Sequence, residues 1–369
     1  MRSASLSGIA ERYAAVVLRG FEKNRLQCRK RVASSYRPKT PSQVQANKEF
    51  AHALASGVLE TVEVVCPVCG HDSFEDVANV ERQGFPLRTV LCGRCPTMYS
   101  KTVLTDEGLN LFYSNFYRHL YGGRQIPDDD WFDSQFRNGQ RILAEYSSFS
   151  ERSNWPDGLK VLEIGTGAGG ALLPFHQQGA NVIGIDLDEE YLSFGRGKGL
   201  NLVRGSIADL PNLPRQNLII LKDVLEHLPR PLEALKLARG SLTPNGVCYI
   251  QVPSFQSLKY LGYRNDLLRY LQFAHVVHFT RESLTYLCQC AGLEVVYSDQ
   301  RAIVMCRPAD SQIPAKTPPP REVAVDALNR IYRTRLLTSW DYRVRSAIPE
   351  PIKKLLRTTR SVSQRLTSR

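Results

Sequence analysis

The chain has 369 residues, 43% of them apolar, which is ample for one large core plus accessory modules. No run approaches the ~18 uninterrupted apolar residues of a membrane-spanning helix, and Ala14–Leu18 (AAVVL) is too short for the core of a secretory signal. The net charge of +12 sits in the tails: residues 1–40 hold ten Lys/Arg against two acids and residues 308–369 thirteen against five, so residues 41–307 are net acidic. Phosphate neutralisation dominates nucleic-acid affinity, and that distribution argues against nucleic acid as the substrate of the central region.

In chain order, residues 1–60 form a basic extension expected to be partly helical. Residues 61–100 hold CPVCG (Cys66, Cys69) and CGRC (Cys92, Cys95), with 22 residues between the pairs. Two knuckles of this kind bring four thiolates into a tetrahedron, the arrangement preferred by structural Zn²⁺. One such ion in a closed site serves folding rather than chemistry. A thioredoxin-like setting that would favour a disulfide pair is missing. The other cysteines, Cys28, Cys248, Cys288, Cys290 and Cys306, read mostly as buried thiols. A metal site with free thiols predicts a reducing, cytoplasmic setting.

Residues 101–150 are rich in aromatics, among them Phe112, Tyr113, Phe116, Tyr117, Tyr121 and Trp131, and read as a helical cap or linker. From 151 to 307, seven short apolar runs (KVLEI, NVIGID, NLV, NLIILKD, GVCYIQV, EVVYS and AIVMC) alternate with helical patterns, the mark of a parallel α/β sheet. After KVLEI the glycines of VLEIGTGAGG allow a ligand close to the backbone. Gly165, Gly167 and Gly170 also fit G-x-G-x-x-G, a weak signal for a dinucleotide when taken alone. Glu163 decides against it, because a carboxylate there repels a pyrophosphate and suits an ammonium. Asp186, at the tip of the second strand, can accept from both ribose hydroxyls of a nucleoside. Ser206 and Ile207 can flank an adenine ring. QFAHVVHFTRESL brings His275 and His278 to the rim, with Thr280 as N-cap of the helix carrying Glu282 and Ser283. Residues 308–321 are a Pro-rich linker, and 350–366 form a basic amphipathic pattern that fits either packing or an anionic membrane surface.

Taken together, E-x-G-x-G-x-G, the acid ending the second strand, GSIADLP and DVLEHLPRP resemble the class I S-adenosylmethionine (SAM) methyltransferases over roughly residues 155–307. The resemblance implies a Rossmann-like seven-stranded α/β sheet, here with an N-terminal zinc ribbon and helical extensions at both ends. It places Glu163, Gly165, Gly167 and Gly169 by the methionine moiety. Asp186 and Leu187 fall by the ribose, Ser206 and Ile207 by the adenine, and Asp223 at the turn beside the methionine end. Many relatives carry Asp where Ser206 stands. Glu226 and His227 either face that methionine end or cap the next helix.

The four-cysteine module joined to such a domain also resembles the zinc-binding sugar C-methyltransferases, which carry Tyr-x-Glu-His-x-x-Tyr-Phe-Ser. His275 matches the proposed general base of that motif, and Phe279 and Thr280 match its end. Gln272, Ala274 and His278 replace its first Tyr, its Glu and its second Tyr. The looser H-x-x-H/Y-F of polysaccharide-pathway methyltransferases fits better. The function implied is O- or C-methylation of a sugar nucleotide or glycan, with His275 as base. A zinc-ribbon RNA methyltransferase is the alternative, opposed by the acidic central region and by LKDVLEHL where N/D-P-P-Y/F would stand. A second alternative is a SAM-binding subunit without catalysis.

Overall fold

The computed structural model describes residues 40–122, 126–150, 158–263, 265–310 and 317–333. The first 39 residues, Cys28 and the amphipathic stretch 350–366 lie outside the described residues. Thr40 caps α1 (Pro41–Ala55) in a capping box with Gln43. The buried face of α1, with Ala46, Phe50 and Ala53, packs into an aromatic cluster with Phe85, Phe112 and Phe273.

Five short strands follow: β1 (Thr61–Glu63), β2 (Phe74–Val80), β3 (Pro86–Cys92), β4 (Met98–Ser100) and β5 (Thr102–Leu104). β1 pairs with β5, while β2, β3 and β4 form an antiparallel sheet. The aromatic region becomes α2 (Asp106–Asn115), a π-helical turn at Arg118–Gly122, and α3 (Asp129–Ser150).

All seven apolar runs become strands of one sheet: β6 (Lys160–Ile164), β7 (Asn181–Asp186), β8 (Leu202–Arg204), β9 (Gln216–Lys222), β10 (Leu242–Gln251), β12 (Leu293–Ser298) and β13 (Ile303–Pro308). Their order in space is β12-β13-β10-β9-β6-β7-β8. The helices between them are α4 (Leu173–Gln177), α5 (Glu189–Gly197), α6 (Pro231–Gly240), α7 (Leu267–Tyr270) and α8 (Arg281–Cys290). Val161–Ile164, Leu218–Leu221 and Val247–Ile250 are buried without alternation, as strands covered on both faces must be.

The sheet is mixed, not wholly parallel. β13 runs antiparallel to both β10 and β12, because residues 299–302 are too few to cross over and can only close a hairpin. Strand order reverses between β6 and β9, and that reversal opens a crevice at their C-terminal ends. α3 lies over the crevice so closely that a side chain at Gly139 would meet the Ala171 carbonyl oxygen at 2.2 Å.

Two features fall outside the expected zones. The two-residue strand β11 (Val277–His278) completes the small sheet by pairing with β4, so the cysteine module borrows a strand from the larger domain. Beyond the proline segment, residues 322–333 are helical. Ala324, Leu328 and Ile331 there pack with Phe255, Leu267 and Tyr270, and Arg321 pairs with Glu75 of β2.

Candidate functional site

A cavity of about 960 Å³ occupies the crevice at the ends of β6, β7 and β9. Gly165 and Gly167 line it at φ of +69° and +57°, values that L side chains rarely adopt. A Cβ on Gly167 would sit 2.9 Å from the Gln135 amide nitrogen, so bare backbone is presented to the cavity. The Gly165 and Thr166 amides donate to the Ile185 carbonyl at 2.8 and 3.1 Å, which pins the loop to β7.

Around this loop the structure gathers most of the residues singled out in the sequence. Glu163, Asp186, Leu187, Ser206, Ile207 and Asp223 all line the cavity. The Asp186 carboxylate accepts from the Gly167 amide at 2.7 Å and the Asp188 amide at 3.0 Å. It therefore stands at the strand tip held by backbone, with further lone pairs open to a ligand. Glu163 is buried and accepts from the Thr166 hydroxyl at 2.7 Å. Burial raises its pKa to about 7, against the opposing pull of that hydrogen bond and of Lys222. Ser206 caps the turn Ile207–Asn212, and its own amide donates to Asp209 at 2.8 Å. Asp209 closes this capping box. Asp223 adopts φ +55° at the turn after β9, and Lys222 pairs with it.

Two expectations change. Gly169 does not line the cavity; a side chain there would strike Leu200 and Leu202 at 2.9–3.1 Å, so its task is packing behind the loop. His275 is not on the cavity wall either. It is 5% exposed and lies beneath His227, with ring centroids 4.8 Å apart and planes nearly perpendicular. The histidines that reach the cavity are His119 and His227, and His227 is the one packed on His275. Helix capping does not explain Glu226 and His227, because the N-cap of α6 is Arg230, which makes no side-chain cap.

The far wall comes from residues that sequence motifs did not reveal. Tyr113 and Tyr117 from the α2 region stand edge-on to His227, at 6.3 and 5.8 Å between centroids. Arg118 bonds Asp188 at 3.0 Å, stands 3.9 Å from Asp186 and stacks over Tyr191. Gln135 of α3 donates to the Thr166 carbonyl at 3.0 Å. Tyr113, Tyr117, Arg118 and Gln135 approach the glycine loop through tertiary packing, which leaves no local spacing to read.

Beneath His227 lies a buried polar group. The Glu226 Oε1 atom is 3.8 Å from His227 Nε2 and 3.9 Å from His275 Nε2. Desolvation holds the Glu226 carboxyl well above its usual range, lowers His227 to about 4 and His278 to about 3, and pushes His275 well below the ordinary imidazole value.

Cys66, Cys69, Cys92 and Cys95 place their sulfurs within 4.8 Å of one another. The pairs Cys66–Cys95 and Cys69–Cys92 are 3.5 Å apart, too far for a disulfide. Four sulfurs ~2.3 Å from one ion stand roughly 3.8 Å apart in a tetrahedron, so the donor set and spacing fit such an ion. Hydrogen bonding among the thiols pulls Cys92 down and pushes Cys66 up. Of the remaining cysteines, Cys248, Cys288 and Cys306 are buried as expected, whereas Cys290 is exposed.

Residues 134–298 match the family model of a methyltransferase domain. Curated relatives include the ubiquinone biosynthesis O-methyltransferases of Haemophilus ducreyi, 26% identical over 117 residues (28% of this chain, 50% of the relative), and of Vibrio campbellii, 26% identical over 119 residues (30% and 51%). The chain spans about half the length of these relatives. Similar solved structures include a SAM-dependent methyltransferase from Archaeoglobus fulgidus (24% identity, 47% of this chain and 79% of that one, TM-score 0.36). Another is the magnesium protoporphyrin IX methyltransferase from Synechocystis (16% identity, 54% and 97%, TM-score 0.40). The matching segment begins inside α3, so the helix over the crevice belongs with the sheet it covers. The acid at the tip of β7, the glycine loop and this match make residues 134–298 a methyltransferase domain.

Proposed function

We propose that this protein methylates a hydroxyl of a sugar or glycan intermediate with S-adenosylmethionine, and that Cys66, Cys69, Cys92 and Cys95 hold one structural zinc ion. The observation that carries the reading is the shared cavity. Glu163, the loop glycines and Asp186 stand on one side of it, and Tyr113, Tyr117 and His227 on the other. When bound, the donor supplies an electrophilic methyl group on a sulfonium. Asp186 accepts from the ribose hydroxyls, and Glu163 offers its carboxylate to the amino group of the methionine moiety. Side chains at Gly165 and Gly167 would strike Val224 and Gln135 at 2.9 Å, so the loop keeps bare backbone beside the cavity that takes the chain between them.

The acceptor side combines ring faces with amide and hydroxyl groups from Asn110, Ser114 and Asn138. That mixture suits a polyhydroxylated ring, whose C–H face stacks while its hydroxyls bond. Oxygen is favoured over carbon because Gln272 and Ala274 stand where the C-methyltransferase motif has Tyr and Glu. The O-methyltransferase relatives point the same way. The proton leaves toward His227 on the cavity wall, with Glu226 and His275 buried behind it. In the transfer the acceptor oxygen bonds to the methyl carbon as the carbon–sulfur bond breaks, and S-adenosylhomocysteine departs. The enzyme contributes alignment and proton removal.

Mass spectrometry of products from purified protein and methyl-labelled SAM, offered sugar nucleotides, phenols and RNA separately, tests the reading. Label in a sugar product supports it. Label confined to a phenol or to RNA overturns the acceptor class, and absence of SAM binding by calorimetry overturns the donor.

A further inference from the structure

Glu226 is 1% exposed, and neither carboxylate oxygen has a hydrogen-bond partner. Its ion-pair neighbours among the described residues are two imidazoles, His227 and His275. Buried carboxylates are tolerated when neutralised or bound to a metal. Among the described residues no Lys or Arg forms an ion pair with the group, and the nearby Lys222 pairs with Asp223 instead.

We propose that Glu226, His227 and His275 bind a divalent first-row metal ion at the acceptor end of the cavity, distinct from the four-cysteine site. One ligand atom from each of the three residues lies within 4.8 Å of the others. The His227 ring is already oriented for ligation. Its Nδ1 lies 2.9 Å from the Ala274 carbonyl, a group that only accepts, so the proton sits on Nδ1 and the Nε2 lone pair is free. A second contact that fixes the tautomer in this way is the usual companion of a metal-bound histidine. The Gln272 side-chain amide lies against His275 Nε2. Rotation of that flexible side chain frees the nitrogen for an ion and leaves three protein ligands, Glu226, His227 and His275.

The backbone supports the same assembly. Glu226 and His227 come from the turn after β9, and the Glu226 carbonyl accepts from the Val276 amide at 2.8 Å. The turn and the loop bearing His275 are therefore held as one piece. Two nitrogens and one carboxylate favour Zn²⁺, Co²⁺ or Mn²⁺ over Mg²⁺, which demands oxygen ligands. Three protein ligands with an open position toward a cavity is the arrangement of catalytic rather than closed structural sites. His227 lines that cavity, so a hydroxyl of the acceptor can reach the open position. A metal-bound hydroxyl releases its proton to solvent more readily. The resulting alkoxide oxygen then forms the bond to methyl carbon as carbon–sulfur cleavage releases S-adenosylhomocysteine. That role, though not the binding, rests on the methyl-transfer reading above.

The test counts metal in the full-length protein by plasma mass spectrometry after equilibration with Zn²⁺ and gel filtration. Wild type is expected to hold about two ions per chain, and Glu226→Gln and His227→Gln about one. Cys92→Ser is expected to lose the other ion. Cobalt distinguishes the sites further. The four-thiolate site gives intense sulfur-to-metal charge-transfer absorption, and the Glu–His–His site only weak visible bands that vanish in Glu226→Gln. A wild-type stoichiometry of one, or two ions retained by both Glu226→Gln and His227→Gln, overturns the proposal. SAM affinity measured by calorimetry on the same samples separates the two readings. Two ions with no SAM binding leaves the metal site standing and removes the methyl-transfer reading.

Discussion

The backbone of Val277 pairs with that of Tyr99, and so the loop carrying His275 and His278 is the edge strand of the four-cysteine sheet. One residue away, the Ser100 amide donates to the Val276 carbonyl at 2.9 Å. Tyr99 is fully buried between the two parts. An ion held by Cys66, Cys69, Cys92 and Cys95 therefore also sets where His227 and His275 stand.

Cys92→Ser is expected to release about one zinc ion per chain and to lower thermal stability, because metal binding and folding are coupled. The larger consequence falls on turnover, since the strand that supports the acceptor end loses its neighbour. SAM affinity, set by β6 and β7, is expected to change less. Metal analysis with calorimetry checks this. Equal losses in SAM binding and turnover count against the coupling.

Asp186→Ala is expected to weaken SAM binding by roughly 2–4 kcal/mol through lost charge-assisted bonds. Part of that loss comes from the loop, whose Gly167 amide the carboxylate holds at 2.7 Å. Asp186→Asn keeps an acceptor for that amide and is expected to lose less. Calorimetry on the pair gives the answer, and unchanged affinity in Asp186→Ala removes the residue from the site.

Glu163 predicts a pH dependence. Its pKa rises by burial from 4.5 to about 7. Between those values the unfolded chain carries the charge and the folded chain keeps the proton, so this group's contribution to stability falls as pH rises through that window. A ligand with an ammonium group favours the carboxylate, so SAM affinity is expected to climb from pH 5 to 7 with release of a proton below 7. Calorimetry in buffers of different ionisation enthalpy reads that proton. A Glu163→Gln variant that keeps the slope assigns it elsewhere.

Residues 322–333 pack on the core, so a truncation that tests the basic tail belongs after residue 333. Removing residues 334–369 is expected to spare SAM binding and to abolish salt-sensitive sedimentation with anionic liposomes, with about 1 kcal/mol per basic residue near such a surface. Among the described residues no helix is long and apolar enough to cross a membrane. If full-length protein ignores anionic liposomes at low salt, the tail has no membrane role.

The sheet was legible because each of its strands is a contiguous apolar run, and the loop because its glycines and acids sit at fixed spacing along β6 and β7. The antiparallel hairpin of β12 and β13 departs from the parallel sheet that the alternating pattern suggested, because the short connection between EVVYS and AIVMC allows no crossover. The acceptor wall was not legible. Arg118 reaches Asp188 across 70 positions, and Tyr113 and Tyr117 meet His227 only after α2 folds over the crevice. For Glu226 and His227 the letters DVLEH gave the residues but not their direction. Burial of Glu226 arises from the loop at Val276, about fifty residues downstream.

The position of β13 shapes how this protein is made on the ribosome. Ile303–Pro308 is the last part of the sheet to be synthesised, yet it lies inside, between β10 and β12. Until it emerges, β10 presents Cys248–Gln251 as an open strand edge on an apolar sheet, the kind of surface that recruits other chains. β12 cannot close that edge, because its sole partner in the sheet is β13. That edge stays unpaired until residue 308 is free of the exit tunnel. A chain ending a few residues earlier has every residue lining the cavity and no completed sheet to hold them.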